Sequence, residues 1–455
     1  MSASQLNTVE KRAAVSLASV FAFRMLGLFM LMPVLAVYGQ SLSGFSPLWI
    51  GLAIGAYGLT QALLQIPMGW LSDRIGRKRV IIGGLVLFTL GSVVAASAES
   101  MYTLTLGRAL QGMGAIASAL LALAADLSRD EQRPKVMAVI GMCIGMSFAV
   151  AMLLGPMVAA SFGVSGIFWL TAALAVLGMA IVTWMVPTAV NRAPKGETSV
   201  TLADVGKLVR HPDLARLDLG VLFLHLSLTT VFVSLPTQLI ADGLEAAKHW
   251  QLYIPVFVLS FVLMVPMMIV AVAKQKEKPL FLVAIVMLIV SMLGLVAGAH
   301  SVYVIAACMM LYFVAFNFLE ATMPALVSRL SPANQKGSAM GVFSSSQFLG
   351  AFLGGILGGY VAQTGSPEMV FAAAAVVGVI WLVIAAKMRV PPRSKIISLL
   401  SAVDSEQDAQ QLAGRLVALP GVLEATVVCD ENRSYLKVDD KKFDLEAAQR
   451  LVAAV

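Results

Sequence analysis

The chain has 455 residues, of which 59% are hydrophobic and 13% charged, at a mean hydropathy of +0.87. That composition excludes a soluble globular protein and points to one embedded in a bilayer. The 32 Lys and Arg exceed the 25 Asp and Glu, but they sit in short loops between apolar runs, which sets topology and offers no face for nucleic acid. Cys143, Cys308 and Cys429 show no paired spacing, so neither a disulfide framework nor a zinc site is expected. No GxxxxGK[ST] loop, catalytic nucleophile, triad or metal cluster is legible, so no cofactor and no enzyme chemistry are expected.

A membrane crossing needs roughly 20 predominantly apolar residues. Cut at its charged or Gly/Pro-rich breaks, the chain yields twelve such runs, at 13–38, 48–71, 80–98, 102–125, 136–160, 167–186, 214–240, 250–273, 279–297, 302–327, 339–361 and 369–386. The first is much longer than a signal-peptide core and lacks a cleavage pattern, so it stays in the membrane. Alternate loops differ in charge. One set carries Arg74, Arg77, Lys78 and Arg79, then Arg129, Arg133 and Lys135, and later Lys274, Lys276 and Lys278, while the opposite set holds a single basic residue, Lys248. The basic set, joined by Lys11, Arg12, Lys387 and Arg389 outside the first and last runs, belongs in the cytoplasm together with both termini.

The polar stretch 188–212 divides the runs into two groups of six, giving expected domains at 1–187 and 213–390 with a cytoplasmic linker between them. The groups repeat. Asp126-Leu-Ser at the end of the fourth run lines up with Arg329-Leu-Ser at the end of the tenth, at an offset of 203 residues that also sets Pro33 on Pro236 and Gly155 on Gly358.

Between the second and third runs stands Gly69-Trp-Leu-Ser-Asp73-Arg74-Ile-Gly76-Arg77-Lys78. Gly69 lets helices approach closely, Gly76 can supply the positive φ of a sharp reversal, and the cations anchor the next span at the headgroups. This G-x-x-x-D-R-x-G-R-K pattern resembles the signature loop of the major facilitator superfamily, and it falls at that family's position. The resemblance implies a twelve-span major facilitator fold of two six-helix bundles, all-α within the membrane. It also implies secondary transport by alternating access in the bacterial inner membrane, with a small-molecule substrate and protons as partners and the binding site at mid-depth between the halves. It further implies that Asp73, Arg77 and Asp126 latch the cytoplasmic face shut in the outward-facing state. Asp73 would then meet the positive end of span eleven near 337–340. In the second half, aligning Pro67 with Pro266 sets Val272 opposite Asp73 and Lys276 opposite Arg77, so only the first half keeps the acid.

Ionisable groups inside a span cost about 2.5–3.5 kcal/mol each on insertion scales and are functional candidates by default. Arg24, Arg108, His225 and Glu320 are such groups, and Glu320 is the only carboxylate deep in a run. It is therefore the first candidate for the titrating group, or else a static partner of an arginine. Arg108-Ala-Leu-Gln111-Gly-Met-Gly114 resembles the family's span-four motif, in which an arginine faces the cavity and is tied to proton coupling. Tyr57, Gln61 and Gln65 recur every four residues on span two, as do Tyr312, Phe316 and Glu320 on span ten, each making one helical stripe. With Gln111 and Asn317 they are candidates for lining a largely apolar cavity, or else they pack helices. Gly155-Pro156 is similar to the exporter motif G-P-x-x-G-G, with Ala159 and Ala160 in place of its closing glycines. The expected activity is proton-driven efflux of small amphiphilic molecules. An importer or facilitator of the same fold is the alternative, and a membrane sensor without net transport is a second.

After Pro391-Pro392 the composition turns soluble. Residues 395–400, 422–429 and 434–438 read as strands, 405–418 as an amphipathic helix, and 444–454 as a helix capped by Asp444. The order β-α-β-β-α suggests a small α+β, ferredoxin-like domain over 395–455. Its Leu419-Pro-Gly421-Val422 resembles heavy-metal-associated domains, but Ser401-Ala-Val-Asp-Ser405 replaces their C-x-x-C pair, so metal delivery is not expected. Dimerisation, ligand sensing, partner binding and an inert tail remain open for it.

Overall fold

The computed structural model describes residues 6–129, 132–187, 202–298, 301–332, 335–389, 395–401, 403, 405–429, 432–439 and 442–453. Among these residues, eleven helices are long and apolar enough to cross a bilayer. One of them, Lys135–Met185, has 51 residues, and at ~1.5 Å per residue it is more than twice as long as a ~30 Å hydrocarbon core. It bends at Gly163, whose φ of 66° and ψ of −170° are not helical, and so supplies spans five and six. The other spans are one (Thr8–Met30), two (Pro47–Ile75), three (Arg77–Ala96), four (Met101–Asp126), seven (Pro212–Ala241), eight (His249–Ala273), nine (Glu277–Gly298), ten (Val302–Leu330), eleven (Lys336–Thr364) and twelve (Pro367–Ala386). The twelve crossings expected from the apolar runs are present.

Several boundaries differ from the sequence expectation, each for a local reason. Span one starts at Thr8 because Asn7 and Glu10 form a capping box, side chain to backbone in both directions. It stops at Met30, and the chain turns through Pro33 before a short helix at Leu35–Tyr38, because proline has no N–H to donate to the preceding turn. The expected run 13–38 is thus a helix, a turn and a second short helix. The loop expected around 161–166 shrinks to the bend at Gly163. Of the linker expected at 188–212, residues 188–201 lie outside the described residues, and Leu202–Arg210 is a helix that buries Leu208 against the second bundle.

Within the first six spans, span one packs on the Lys135–Met185 helix, span two on four, and three on four; within the second six, seven packs on eleven and twelve, eight on ten, and nine on ten and twelve. The groups meet chiefly where span two packs on eleven and span five on eight, with a smaller contact between two and seven. Span eleven makes both of its main contacts through glycine. A Cβ at Gly350 or Gly354 would overlap the Leu222 or Leu226 carbonyl oxygen of span seven, and one at Gly355 would overlap that of Gly51 on span two. Gly359 similarly abuts the Pro47 carbonyl, and Thr230 Oγ1 donates to the Gly354 carbonyl at 3.0 Å. With no water in a bilayer core to drive association, such close backbone contact is a main source of helix adhesion.

The C-terminal domain has strands β1 (Lys395–Leu400), β2 (Val422–Val428) and β3 (Arg433–Val438) in the antiparallel order β1-β3-β2, with helices Glu406–Val417 and Leu445–Ala453. Ser405 caps the first helix and Asp444 the second. Leu412, Leu416, Leu436, Val438 and Ala448 close a separate small core. The domain touches the membrane part where Lys437 Nζ donates to the Ser331 carbonyl, 3.3 Å away at the end of span ten. Burial pulls the Lys437 ammonium below the usual lysine range, which Glu424 at 3.8 Å opposes.

The packing of spans two and eleven yields a first prediction. Gly51→Ala should destabilise the protein by about 1–3 kcal/mol through overpacking, whereas Gly83→Ala, whose Cβ meets no heavy atom within 4 Å, should leave the apparent melting temperature unchanged or raised. Thermal unfolding of the two purified variants checks this.

Candidate functional site

Three clusters gather the ionisable and polar groups of the membrane part. The first lies at the loop between spans two and three. Gly76, at φ 103°, ends span two, and Arg77 begins span three at once. The Arg77 guanidinium pairs with Asp73 one helical turn back, and it reaches Asp126 Oδ2 at 3.3 Å and Ser72 Oγ at 2.8 Å. Asp126 is almost fully enclosed there, with 1% of its side chain exposed. Arg74 points elsewhere, its guanidinium 3.8 Å from the centre of the Trp70 ring. Lys78 Nζ donates to the Val186 carbonyl at 2.6 Å, tying span three to the end of span six. Gly69 is buried, and its carbonyl accepts from Ser72 Oγ at 2.7 Å.

The second half carries a counterpart with exchanged signs. Glu277, the first residue of span nine, accepts from Arg329 Nη2 at 2.5 Å, near the end of span ten. The sequence alignment set Lys276 opposite Arg77, but the helix begins one residue later, on the acid. The clue available in the sequence was Arg329 standing at the repeat position of Asp126. A further pair escaped the sequence reading. Glu10, buried in the first turns of span one, accepts from Arg129 Nε at 2.8 Å and Nη2 at 3.0 Å.

The second cluster is the buried polar network of the first half. Arg24, 2% exposed, donates from Nη2 to Gln61 Oε1 at 2.5 Å, and Gln61 Nε2 donates to Gln65 Oε1 at 2.7 Å. Arg108, 1% exposed, donates to the Ala53 carbonyl at 3.2 Å and to Gln111 Oε1 at 2.8 Å, and Gln111 Nε2 continues to Ser92 Oγ at 2.7 Å. Both guanidiniums lie near the Tyr57 ring, at 5.8 Å for Arg24 and 5.0 Å for Arg108. Neither arginine has a carboxylate partner among the described residues.

The third cluster joins spans seven, ten and eleven. Gln347 Nε2 lies 2.8 Å from His225 Nε2 and donates to Glu320 Oε1 at 3.1 Å, and Glu320 Oε2 is 3.8 Å from His225 Nε2. His225 Nδ1 sits 3.2 Å from the Val221 carbonyl, which assigns the proton of a neutral ring to Nδ1 and leaves Nε2 to accept from Gln347. Protonation of Nε2 would exchange that bond for an ion pair with Glu320. The Glu320 side chain is 38% exposed, and its Oε2 has no hydrogen-bond partner. Gln347 was not singled out from the sequence, although Ser344-Ser-Ser-Gln347 is a polar interruption within an apolar span.

The remaining candidates sit inside their own half. Tyr312 is buried with its hydroxyl 2.9 Å from Ser227 Oγ, and Phe316 stacks on the Tyr312 ring and lies 5.7 Å from the His225 ring. Asn317 Nδ2 donates to Ser260 Oγ on span eight at 3.1 Å. Gly155 approaches the Met30 carbonyl of span one, with Pro156 buried beside it. Glu320 is also not alone as a carboxylate in a spanning helix, since Glu10 and Asp218 lie near the ends of spans one and seven.

A sequence model described as the Major Facilitator Superfamily matches residues 17–275 and 217–423. The "Inner membrane transport protein YajR" of Escherichia coli strain K12 is 42% identical over 445 residues, which covers 97% of this chain and 98% of that protein. The "Multidrug resistance protein MdtH" of Edwardsiella ictaluri is 26% identical over 375 residues, covering 78% and 89%. Among solved structures, the nucleoside transporter NupG superposes with a TM-score of 0.65 at 14% identity, covering 82% of this chain and 99% of that one.

The exchanged pair offers a direct check of its geometry. Glu277→Arg or Arg329→Glu alone should lower the apparent melting temperature, because each leaves like charges facing one another in a partly buried site. The double exchange should recover most of the loss, with a coupling of about 1–3 kcal/mol in a double-mutant cycle.

Proposed function

The chain belongs to the Major Facilitator Superfamily and is a secondary transporter, and on that premise we propose that it exports small amphiphilic molecules in exchange for protons. The observation that carries the proton half is the Glu320 cluster. Its side chain is partly exposed, its Oε2 is buried without a hydrogen-bond partner, and it adjoins an imidazole and an amide on two other spans. A carboxyl that takes up a proton loses the charge that makes its enclosure in a membrane costly. Glu320 therefore accepts a proton while the cavity is open to one side and releases it to the other, and His225 and Gln347 offer alternative partners for the two states.

Export and an amphiphilic cargo are supported by the largely apolar spans around these groups and by the likeness to a multidrug resistance protein. A location in the inner membrane agrees with the name of the E. coli relative. In this reading both termini are cytoplasmic, and Arg77 with Asp73 and Asp126 holds the cytoplasmic face shut, Asp73 facing the start of span eleven. Enclosure strengthens the cluster, because an ion pair gains as water is excluded and weakens as the face opens.

Three measurements test these points. In inverted vesicles with an acid interior, fluorescent amphiphiles should accumulate; their release instead would make the protein an importer. Glu320→Gln should cut proton-driven accumulation by about tenfold or more while leaving solute counterflow intact, and loss of both together would remove its coupling role. Cysteine labelling from the cytoplasmic side should rise in Arg77→Ala relative to the parent, and unchanged labelling would remove the latch.

A further inference from the structure

Arg24 differs from every other described intramembrane cation in what it lacks. Arg108 spends its N–H groups on the Ala53 carbonyl and on Gln111, the usual way a buried arginine is satisfied. Arg24 has one bond, to Gln61, while its Nε and Nη1 are buried without an acceptor, and so is the hydroxyl of Tyr57, whose ring lies 5.8 Å from the guanidinium. Gln61 Oε1 is already used by Arg24 Nη2, and the Gln61 amide donates onward to Gln65. What is left over in the site is a set of donors beside a fixed positive charge, with Arg108 on the same ring adding a second. Leaving such groups unpaired in a low-dielectric interior costs several kcal/mol, and the species that would satisfy them is an anion with oxygen acceptors. The faces of Tyr57 and Phe88, both within 6 Å of the guanidinium carbon, offer an apolar wall for the body attached to it.

Access follows from the crossing of the two halves. Tyr57 stands between Arg24 and span eleven, with its ring 6.1 Å from that of Phe348. Parting of spans two and eleven at this level removes Phe348 and uncovers the Tyr57 side of the arginine.

We propose that Arg24, with Tyr57, is the binding site for an anionic group on the transported molecule, so that the solutes handled are amphiphiles bearing a carboxylate or a similar oxyanion. This rests on the transport reading above and names its substrate class. The first half then supplies charge for the head of the solute, while the titratable cluster lies in the second.

The test uses the purified full-length protein and three probes of one shape: 4-phenylbutyrate, 4-phenylbutyramide and (4-phenylbutyl)trimethylammonium. Millimolar 4-phenylbutyrate should raise the apparent melting temperature, and the amide and the ammonium should not. Arg24→Gln should weaken that binding about tenfold or more, the loss expected of charge-assisted hydrogen bonds, and Arg24→Lys should retain part of it. Gel filtration identifies a variant that fails to fold; in that case the ranking of the three probes on the unaltered protein decides. The inference is overturned if the carboxylate gives no shift, if the amide or ammonium matches it, or if folded Arg24→Gln binds it undiminished. Proteoliposome flux separates the two readings. Movement of the ammonium but not the carboxylate leaves transport standing and removes the anion site; Arg24-dependent binding without movement of any probe does the reverse.

Discussion

Contact between the backbones of spans two and eleven is the constraint on which the rest of the molecule depends. The two groups of six spans meet through few helices, and in this pair Gly51 faces Gly355 so closely that neither tolerates a Cβ. Span eleven uses a neighbouring face, through Gly350 and Gly354, to lie equally close to span seven of its own half. One helix is thereby pressed on both sides. Gln347 and Phe348 sit just before this glycine run, so the residue that bridges His225 and Glu320 and the residue that covers Tyr57 ride on the same element. Any movement of span eleven against span two bears on both polar clusters together.

The halves are copies in architecture and opposites in charge. Two guanidiniums without carboxylate partners among the described residues lie inside the first, and an acid beside an imidazole lies inside the second. At the loops the inversion recurs, with Arg77 opening span three against Asp126, and Glu277 opening span nine against Arg329. The same two positions of the repeat therefore hold an ion pair in each half, and swapping the signs preserves the attraction while reversing the field at the membrane surface.

The spans were legible because a bilayer demands one length of apolar residues and sorts the cations to one side. The loop at 69–78 was legible for a related reason, since so many charges have no other place between two such runs. Tertiary partners were not. Glu10 reads as an ordinary first-turn acid until Arg129 is seen across from it. Gln347 reads as a polar lapse until spans seven and ten close around it. Periodicity put Tyr312, Phe316 and Glu320 on one stripe, but it could not say that Tyr312 and Phe316 bury against neighbours of their own half while Glu320 keeps an exposed edge. Pro33 and Gly163 were visible as residues, but whether each makes a turn, a bend or a loop depended on the helices on either side.

The turn at Gly76 has a consequence that volume alone does not suggest. A side chain placed there would meet no heavy atom within 4 Å, so room is not what confines the position to glycine. What confines it is handedness, for at φ 103° and ψ 139° the backbone has a geometry that L-amino acids resist whatever their size. Alanine and tryptophan would be unwelcome there for one and the same stereochemical reason, the clash of a Cβ with its own backbone and not with any neighbour.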